Sequence, residues 1–342
     1  MNLAPMADVW LRNSLPPSTD ESRQIFHFSN LRNMTPTIVS NTARWIQEMR
    51  DLNGASIEPF PHISRLAMRT IIDCAFGHGG LDPTLMHHHL GAAIRAFELY
   101  FLSSLLLGKK LTDSLPLPWS RKIHFHTEKV REMVQELISR RRRELEQLPD
   151  DAPEREHPSD LLTALLLAGD SEYEMSDKLI IDESVTFLFA GHDTTSNLLS
   201  WCLYFLARNP RVVEKLREEG LAILGDESEP GGIRAPTHDE IPQLKYHKHT
   251  LYEALRMRPP VPIFDRVAMQ DCELRGRKFP KGTVLSPYFM AAHHDARYWN
   301  EPMEFRPERF ETHDAPRGER RHAYSFTPFS AGPRNCVGQK VR

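Results

Sequence analysis

The stretch that decides the fold lies near the carboxyl end and reads Phe329-Ser-Ala-Gly332-Pro-Arg334-Asn-Cys336-Val-Gly338. A lone cysteine is more often an inert buried residue than a ligand. Here, however, Gly332 and Gly338 allow close backbone approach, and Arg334 places a cation two residues before the thiol. A helix is also predicted to begin at the cysteine, and all three features favour thiolate over thiol. The pattern therefore indicates that Cys336 is a metal-bound sulfur.

The remaining cysteines and the histidine triplet indicate no further metal chemistry. Cys74, Cys202 and Cys272 are far from one another in the chain, so no Cys-x-x-Cys pair suggests a zinc or redox site, and no disulfide scaffold is expected. His87 to His89 are adjacent residues, whose side chains point in different directions on a helix. A metal shared by that triplet is not expected.

The composition is that of an ordinary globular protein. Apolar residues make up 40% of the 342 residues and charged residues 26%, with 43 basic against 46 acidic side chains. These values exclude a disordered, collagenous or coiled-coil chain, and they give no sign of a nucleic-acid partner. No window reaches the roughly 18 apolar residues of a membrane span, and the first ten residues do not resemble a signal peptide.

The spacing of apolar residues predicts helices over 35–54, 63–77, 119–148 and 177–208. In the first, Thr35 is the predicted N-cap and Pro36 the first helical residue. The last is capped by Ser176, ends before Pro210 and would be about 48 Å long. Strand-like pieces at 264–267, 272–274 and 283–286 follow a helical segment around Glu253. The fold is therefore predicted to be mainly α with small β-sheets.

The centre of the long predicted helix reads Ala190-Gly191-His192-Asp193-Thr194. Glycine and hydroxyl residues are poor choices inside a helix, so the helix is expected to bend, to open its hydrogen bonds or to admit a flat ligand here. One interpretation is a groove with an acid beside an alcohol. The other is a kinked helix packed against a neighbour, and the segment alone favours neither.

Two further segments carry charge. Glu253-Ala-Leu-Arg256 puts opposite charges on one helix face, which alone is usually an exposed pair worth about 0 to 1 kcal/mol. The stretch 299–310 has too much proline for a helix or a central strand, but its aromatic residues can anchor it on a core. We expect it to be ordered and irregular.

Together these segments resemble, in order and spacing, the motifs of the cytochromes P450, the haem-thiolate monooxygenases. The resemblance covers about residues 28–342 and implies the cytochrome P450 fold, truncated at both ends, with 1–27 as an atypical N-terminal segment and 28–342 as a partial domain. The matching motifs are the haem-binding loop from Phe329 to Gly338, the charged triad of Glu253-x-x-Arg256 and Pro307-x-Arg309-Phe310, and the oxygen-activation segment Ala190-Gly191-x-Asp193-Thr194.

The resemblance implies a role for each matched residue. Cys336 would be the axial thiolate of haem b, and Asp193 and Thr194 would deliver protons. Arg334 and Arg266 would pair with the haem propionates. The other implied haem-contacting residues are Phe329, Gly332, Gly338, Ala190 and Gly191, and the structural triad behind the haem is Glu253, Arg256 and Arg309.

The implied reaction inserts one oxygen atom from O2 into a C–H bond, with electrons from NADPH through NADPH–cytochrome P450 reductase and with cytochrome b5 as a second candidate donor. The segment around His192 and the Pro259-Pro260-Val261-Pro262 run resemble the fatty-acid hydroxylase branch, so a long-chain fatty acid is the first expectation. Sterols and xenobiotics stay open. Ala190 stands where some members of that branch carry a glutamate that binds haem covalently, so no ester link is expected.

The chain ends depart from the family pattern. The resemblance implies an endoplasmic reticulum membrane protein, yet residues 1–27 do not supply an anchor and only six residues follow Cys336. A fragment is therefore expected, and a non-catalytic product that does not hold haem is the alternative function. A haem-thiolate isomerase or dehydratase is a third, against which the Asp193–Thr194 pair argues. Arg317, Arg320 and Arg321 before the cysteine loop, with Lys340 and Arg342 after it, are a predicted reductase-docking face or solvated loop charge.

Overall fold

The computed structural model describes residues 28–77, 80–115, 117–149, 152, 160–169, 176–226, 228–229, 232–311, 322–332 and 335–340. These residues are mostly helical, as predicted, and several helices begin at a proline in their first turn, where its missing N–H costs nothing. The α-helices are α1 (Phe28–Arg50), α2 (Pro59–Phe76), α3 (Pro83–Leu107), α4 (Lys109–Ser114), α5 (Pro118–Gln147), α6 (Leu161–Gly169), α7 (Asp177–Arg208), α8 (Pro210–Leu224), α9 (Lys245–Met257) and α10 (Phe289–His293).

Short 3-10 turns and two small antiparallel sheets complete the described part. In one sheet β1 (Arg266–Val267) pairs with β4 (Val284–Leu285), and Arg266 lies opposite Leu285. In the other, β2 (Cys272–Leu274) pairs with β3 (Arg277–Phe279). The 3-10 turns are Ile241–Gln243, Pro307–Phe310, Ala323–Ser325 and Val337–Lys340. The prediction of a mainly α fold with small β-sheets is confirmed.

The chain divides into two compact units, and the boundary lies inside α7. The first unit is Met1–Asp193 with Lys340–Arg342, and the second is Thr194–Gln339. The core of the first unit is formed by α2, α3, α5, α6 and the amino-terminal half of α7. Its most deeply buried side chains are Met68, Ile72, Phe76, Met86, Val134, Leu162 and Leu188.

The core of the second unit lies between α9 and the carboxyl-terminal half of α7. Leu198, Cys202 and Phe205 pack there with α9 residues and with Phe329. Phe205 also stacks on Phe305, with ring centroids 4.7 Å apart. The irregular stretch 299–310 is therefore anchored by aromatic packing, as its composition indicated.

The predicted start of α1 is wrong, whereas the predicted bounds of α7 are right. Helix α1 begins at Phe28, so Thr35 is not its N-cap and Pro36 lies inside the helix. An interior proline removes a backbone hydrogen bond, but the turn before it is held by burial of Met34, which packs with Cys74 of α2. Helix α7 has the predicted bounds because Asn209-Pro210 ends it.

No helix among the described residues is both long enough and apolar enough to span a bilayer.

Candidate functional site

Cys336 lies at the end of a tight loop. Its backbone N–H donates to the carbonyl of Phe329 at 2.9 Å, and the N–H of Asn335 donates to the carbonyl of Gly332 at 3.1 Å. Gly332 has φ +84°, in the left-handed region that favours glycine. Residue 332 therefore permits the reversal that brings Cys336 back beside Phe329.

The surroundings of the thiol are apolar. Cys336 is half-buried and unpaired, and it packs against the cluster that contains Leu198, Phe205 and Phe329. A Cβ added at Gly338 would lie 3.9 Å from its sulfur, in ordinary van der Waals contact, so residue 338 lies directly beside the thiol. The described residues hold no group of three or more histidine, cysteine or acidic side chains arranged for a metal. A single free thiol among apolar groups fits an axial haem ligand better than a zinc site.

Of the two arginines predicted to pair with haem propionates, the structure describes Arg266 but not Arg334. Arg266 is exposed on β1, where its guanidinium carbon lies 4.0 Å from the centroid of the Phe264 ring and Nη1 donates to the carbonyl of Asp265 at 3.0 Å. Its pairing with a propionate stays a prediction.

The central turn of α7 remains α-helical through Ala190 and Gly191, so the expected opening of the helix is not seen. A Cβ built on Gly191 would lie 2.7 Å from Cδ1 of Ile71 in α2. Glycine at this position therefore allows close packing of α7 against α2, which is the second interpretation of the segment. Contact of Ala190 and Gly191 with a cofactor stays a prediction.

Asp193 and Thr194 are both half-buried and follow each other in α7. Burial raises the pKa of Asp193, and the nearby charge of Glu98 raises it further. A carboxyl group with a raised pKa keeps its proton closer to neutral pH, which suits a proton donor.

The sequence did not predict the partners of His192. Its Nε2 lies 2.7 Å from Oγ of Ser64, which also lies 2.9 Å from Nε2 of His87. Burial lowers the pKa of His192 to about 4, so its ring is neutral at pH 7. Ser64 is 128 residues away in the chain, and no spacing pattern links the two.

The three residues of the predicted triad meet in the second unit. Glu253 accepts from Nε of Arg256 at 2.8 Å and from Nε of Arg309 at 2.9 Å, and all three side chains are fully buried. The backbone N–H of Arg306 donates to the same carboxylate at 2.9 Å. The pair that looked like an ordinary surface pair in sequence is therefore a buried network.

The guanidinium groups of the triad also hold loop carbonyls. Nη1 of Arg256 donates to the carbonyl of His293 at 2.9 Å and to that of Pro302 at 2.7 Å. Nη1 of Arg309 donates to the carbonyl of Asn300 at 2.7 Å. The network thus fixes the backbone of the irregular stretch.

Known proteins resemble this chain over most of its length. Human Cytochrome P450 4F8 is 33% identical in an alignment of 332 positions that covers 92% of this chain and 61% of that protein. Cytochrome P450 4d2 of Drosophila melanogaster is 31% identical, over 99% of this chain and 70% of its own length. Mouse Cytochrome P450 4V2 is 41% identical over 191 residues, but this chain covers only 34% of it.

A solved structure shares the fold. Retinoic acid bound cyanobacterial CYP120A1 has a TM-score of 0.75 and 22% identity, over 94% of this chain and 66% of that one. The sequence profile of the family described as Cytochrome P450 matches residues 20–341. The profile match, the identities and the shared fold agree with the buried triad and the cysteine loop: the chain belongs to the cytochrome P450 family.

Proposed function

We propose that this protein is a haem-thiolate monooxygenase that inserts one oxygen atom from O2 into a C–H bond of a lipophilic substrate. The observation that carries the proposal is the loop of Cys336, where a free, half-buried thiol lies among apolar side chains. Membership of the cytochrome P450 family supports it, although the chain spans only 61% of human Cytochrome P450 4F8.

Cys336 would hold the iron of haem b through its thiolate. When bound, haem supplies the chemistry of O2 activation, which amino-acid side chains cannot provide. The left-handed backbone at Gly332 and the hydrogen bond from the Cys336 N–H to the Phe329 carbonyl fix the loop conformation. The loop conformation in turn fixes the direction of the sulfur. Arg266 and Arg334 would neutralise the propionates, and Gly338 leaves the flank of the sulfur open.

Asp193 and Thr194 would handle protons. The raised pKa of the Asp193 carboxyl lets it take up a proton more readily than an ordinary aspartate and donate it again. The Thr194 hydroxyl can accept one hydrogen bond while it donates another, so it can hold a proton at its oxygen. The role of the triad would be structural, because Glu253, Arg256 and Arg309 are fully buried within the second unit. They would stabilise the fold and would not contact the substrate.

The substrate that we favour is a long-chain fatty acid, because the segment around His192 and the run from Pro259 to Pro262 resemble the fatty-acid hydroxylase branch. Electrons would come from NADPH through NADPH–cytochrome P450 reductase, with cytochrome b5 as a second donor, at the endoplasmic reticulum membrane. The predicted docking residues Arg317, Arg320 and Arg321 lie outside the described residues.

The first test is the spectrum of the dithionite-reduced, CO-treated protein, expressed as residues 1–342. We expect the Soret shift of a thiolate-bound haem, and we expect Cys336→Ala to abolish it. Cys272→Ala is the matched control, because Cys272 is also free and half-buried, and it should keep the shift. A folded protein without bound haem would contradict the proposal and would favour the non-catalytic alternative.

The second test separates proton delivery from haem binding. Thr194→Ala should keep the spectrum but release peroxide in place of product, because a positioned proton donor contributes about 10² to 10⁴ in rate. Thr186→Ala is the control on the same helix, since the Thr186 hydroxyl donates to the carbonyl of Asp182. Normal coupling of oxygen use to product in Thr194→Ala would remove Thr194 from the proton relay.

A further inference from the structure

We propose that His87, Ser64 and His192 form a proton path that leads from the surface of the first unit to the turn of α7 that carries Asp193. The inference rests on the proposed function, because it supplies the source of the protons that Asp193 would deliver. The path itself, however, is a property of three side chains and can be tested without haem.

The contacts form a continuous chain. Oγ of Ser64 lies 2.9 Å from Nε2 of His87 and 2.7 Å from Nε2 of His192, and the two rings are perpendicular with centroids 5.6 Å apart. A serine hydroxyl has one proton to donate. It therefore donates to one imidazole and accepts from the other, so the two rings must carry their protons on opposite nitrogens.

The chain runs from solvent to the interior. His87 is half-buried and its neighbour His88 is exposed, whereas Ser64 is 2% and His192 3% exposed. Nδ1 of His192 is also buried. A proton that leaves this atom therefore stays inside the protein, in the helical turn that carries Asp193.

Burial, together with the charges around the path, keeps both rings neutral at rest. Burial lowers the pKa of His87, and the facing charges of Arg65 in α2 and of Arg95 and His88 in α3 lower it further. Burial, and then the charge of His87, lowers the pKa of His192 to about 4. Neither ring traps a proton as a stable cation, so each can pass it on.

The transfer balances without a cofactor. A solvent proton binds Nδ1 of His87 while the Nε2–H bond of that ring breaks and its proton joins Oγ of Ser64. The hydroxyl proton of Ser64 moves to Nε2 of His192, and the proton on Nδ1 of His192 passes to the carboxylate of Asp193, the next residue of α7, which becomes the carboxylic acid. One proton has moved inward, and each ring has changed its tautomer. Rotation of the hydroxyl and tautomer exchange on both rings restore the starting state.

The test that needs no haem is solvent exchange of the ring N–H protons of His192, measured by NMR on protein labelled with 15N-histidine. Ser64→Ala should slow this exchange by at least about tenfold, which is modest beside the usual 10² to 10⁴ of a positioned proton donor. Ser64→Thr restores the hydroxyl and should restore the exchange. Ser139→Ala is the control, because the Ser139 hydroxyl is exposed and donates within α5.

Unchanged or faster exchange in Ser64→Ala, in a protein with the wild-type circular dichroism spectrum, would overturn the path. In haem-loaded protein with reductase, Ser64→Ala should also raise the ratio of peroxide to product and reduce the effect of D2O on turnover. If Ser64→Ala leaves the coupling of oxygen use to product unchanged, the path does not supply the protons of the reaction. The proposed function would still stand in that case, because it is tested by the thiolate spectrum. A wild-type protein without that spectrum would overturn the proposed function, and the exchange measurement would still decide the path.

Discussion

At the scale of single residues, the second unit contains two positive charges and one negative charge with no access to water. Glu253 is shared by Arg256 and Arg309, and further guanidinium N–H groups of both arginines donate to loop carbonyls. Such a network adds little net stability over apolar packing, but removal of one partner leaves a charge unpaired in the interior. The effect of a substitution here should therefore be much larger than at a surface ion pair.

Glu253→Gln should lower the free energy of unfolding by about 3 to 5 kcal/mol, because the amide keeps the shape but leaves two buried guanidinium groups without a counter-charge. The measurement is denaturant unfolding against the wild type. Glu132→Gln is the control: Glu132 forms an exposed pair with Lys129 at 2.6 Å, and its loss should cost less than about 1 kcal/mol. Equal effects of the two substitutions would show that the buried network is not needed.

His293 should make the stability of the protein fall in mild acid. Burial lowers its pKa to about 4, and its Nε2 accepts a hydrogen bond from the backbone N–H of Thr327 at 3.1 Å. The unfolded chain takes up a proton near pH 6.5, whereas the folded chain resists until about pH 4. The contribution of His293 to stability is therefore complete above pH 6.5 and is lost as the pH falls from 6.5 towards 4.

The measurement is the free energy of unfolding of the wild type and of His293→Gln between neutral pH and pH 4. The wild type should lose about 3 kcal/mol more than the variant across that interval. His124→Gln removes an exposed histidine and should keep the wild-type pH dependence. Parallel curves for the wild type and His293→Gln would contradict the assignment.

At the scale of elements, a helix could be predicted where its sequence has clear end signals and separates an apolar face from a polar one. Helix α7 has clear signals at both ends, and its bounds agree with the prediction. Helix α3 was not predicted, because apolar residues occupy its exposed face as well as its buried one and blur the helical period. Helix α6 is a short apolar run, which periodicity cannot distinguish from a buried strand.

Gly191→Ala should destabilise the protein, although alanine favours a helix by about 1 kcal/mol over glycine. The added Cβ would lie 2.7 Å from Cδ1 of Ile71, and overpacking of this kind costs about 1 to 3 kcal/mol. Gly91→Ala is the control in α3: its Cβ would meet only the flexible end of Arg95 at 3.4 Å, so a small gain in stability is expected.

The measurement is thermal unfolding of both variants, together with Gly191→Ala in an Ile71→Val background. The shorter side chain at 71 should recover part of the loss, because the two positions are in contact. A gain in stability from Gly191→Ala, equal to that from Gly91→Ala, would show that α2 and α7 do not pack this closely.

At the scale of the whole molecule, large apolar side chains are exposed along the carboxyl-terminal half of α3. Leu106 is 76% exposed, and Phe101 and Leu102 are each 53% exposed. Grouped exposure of this kind favours association in water. The double substitution Leu102→Glu and Leu106→Glu should therefore reduce self-association, measured by light scattering over a range of concentrations.

The same double substitution should change the free energy of unfolding by less than about 0.5 kcal/mol per site, because neither side chain supports the core. Leu274→Glu is the control, since Leu274 is 52% exposed on β2 and should leave association unchanged. Scattering that is the same in the double variant and the wild type would show that this surface does not drive association.

The sequence motifs proposed the site residues, but they could not predict the environments of those residues. Cys336, Asp193 and Thr194 were singled out because each belongs to a motif that resembles one of the family, and their roles stay predictions. No motif indicated that Ser64 would contact His192, since that contact depends on how α2 packs against α7. The charge spacing alone indicated an exposed pair of Glu253 and Arg256, because burial of a helix face is decided by distant parts of the chain, and only the family resemblance implied a buried triad.

The carbonyl groups held by Arg256 and Arg309 have a consequence for the order in which the protein acquires its shape. Residues 300–304 belong to no helix or strand, and the side chains of two arginines position their backbone oxygens. We therefore expect the backbone of residues 300–304 to reach its final position after Glu253 has paired with both arginines, as a late step in folding. The side chains of that stretch are then free to vary between relatives, provided that the oxygens keep their places.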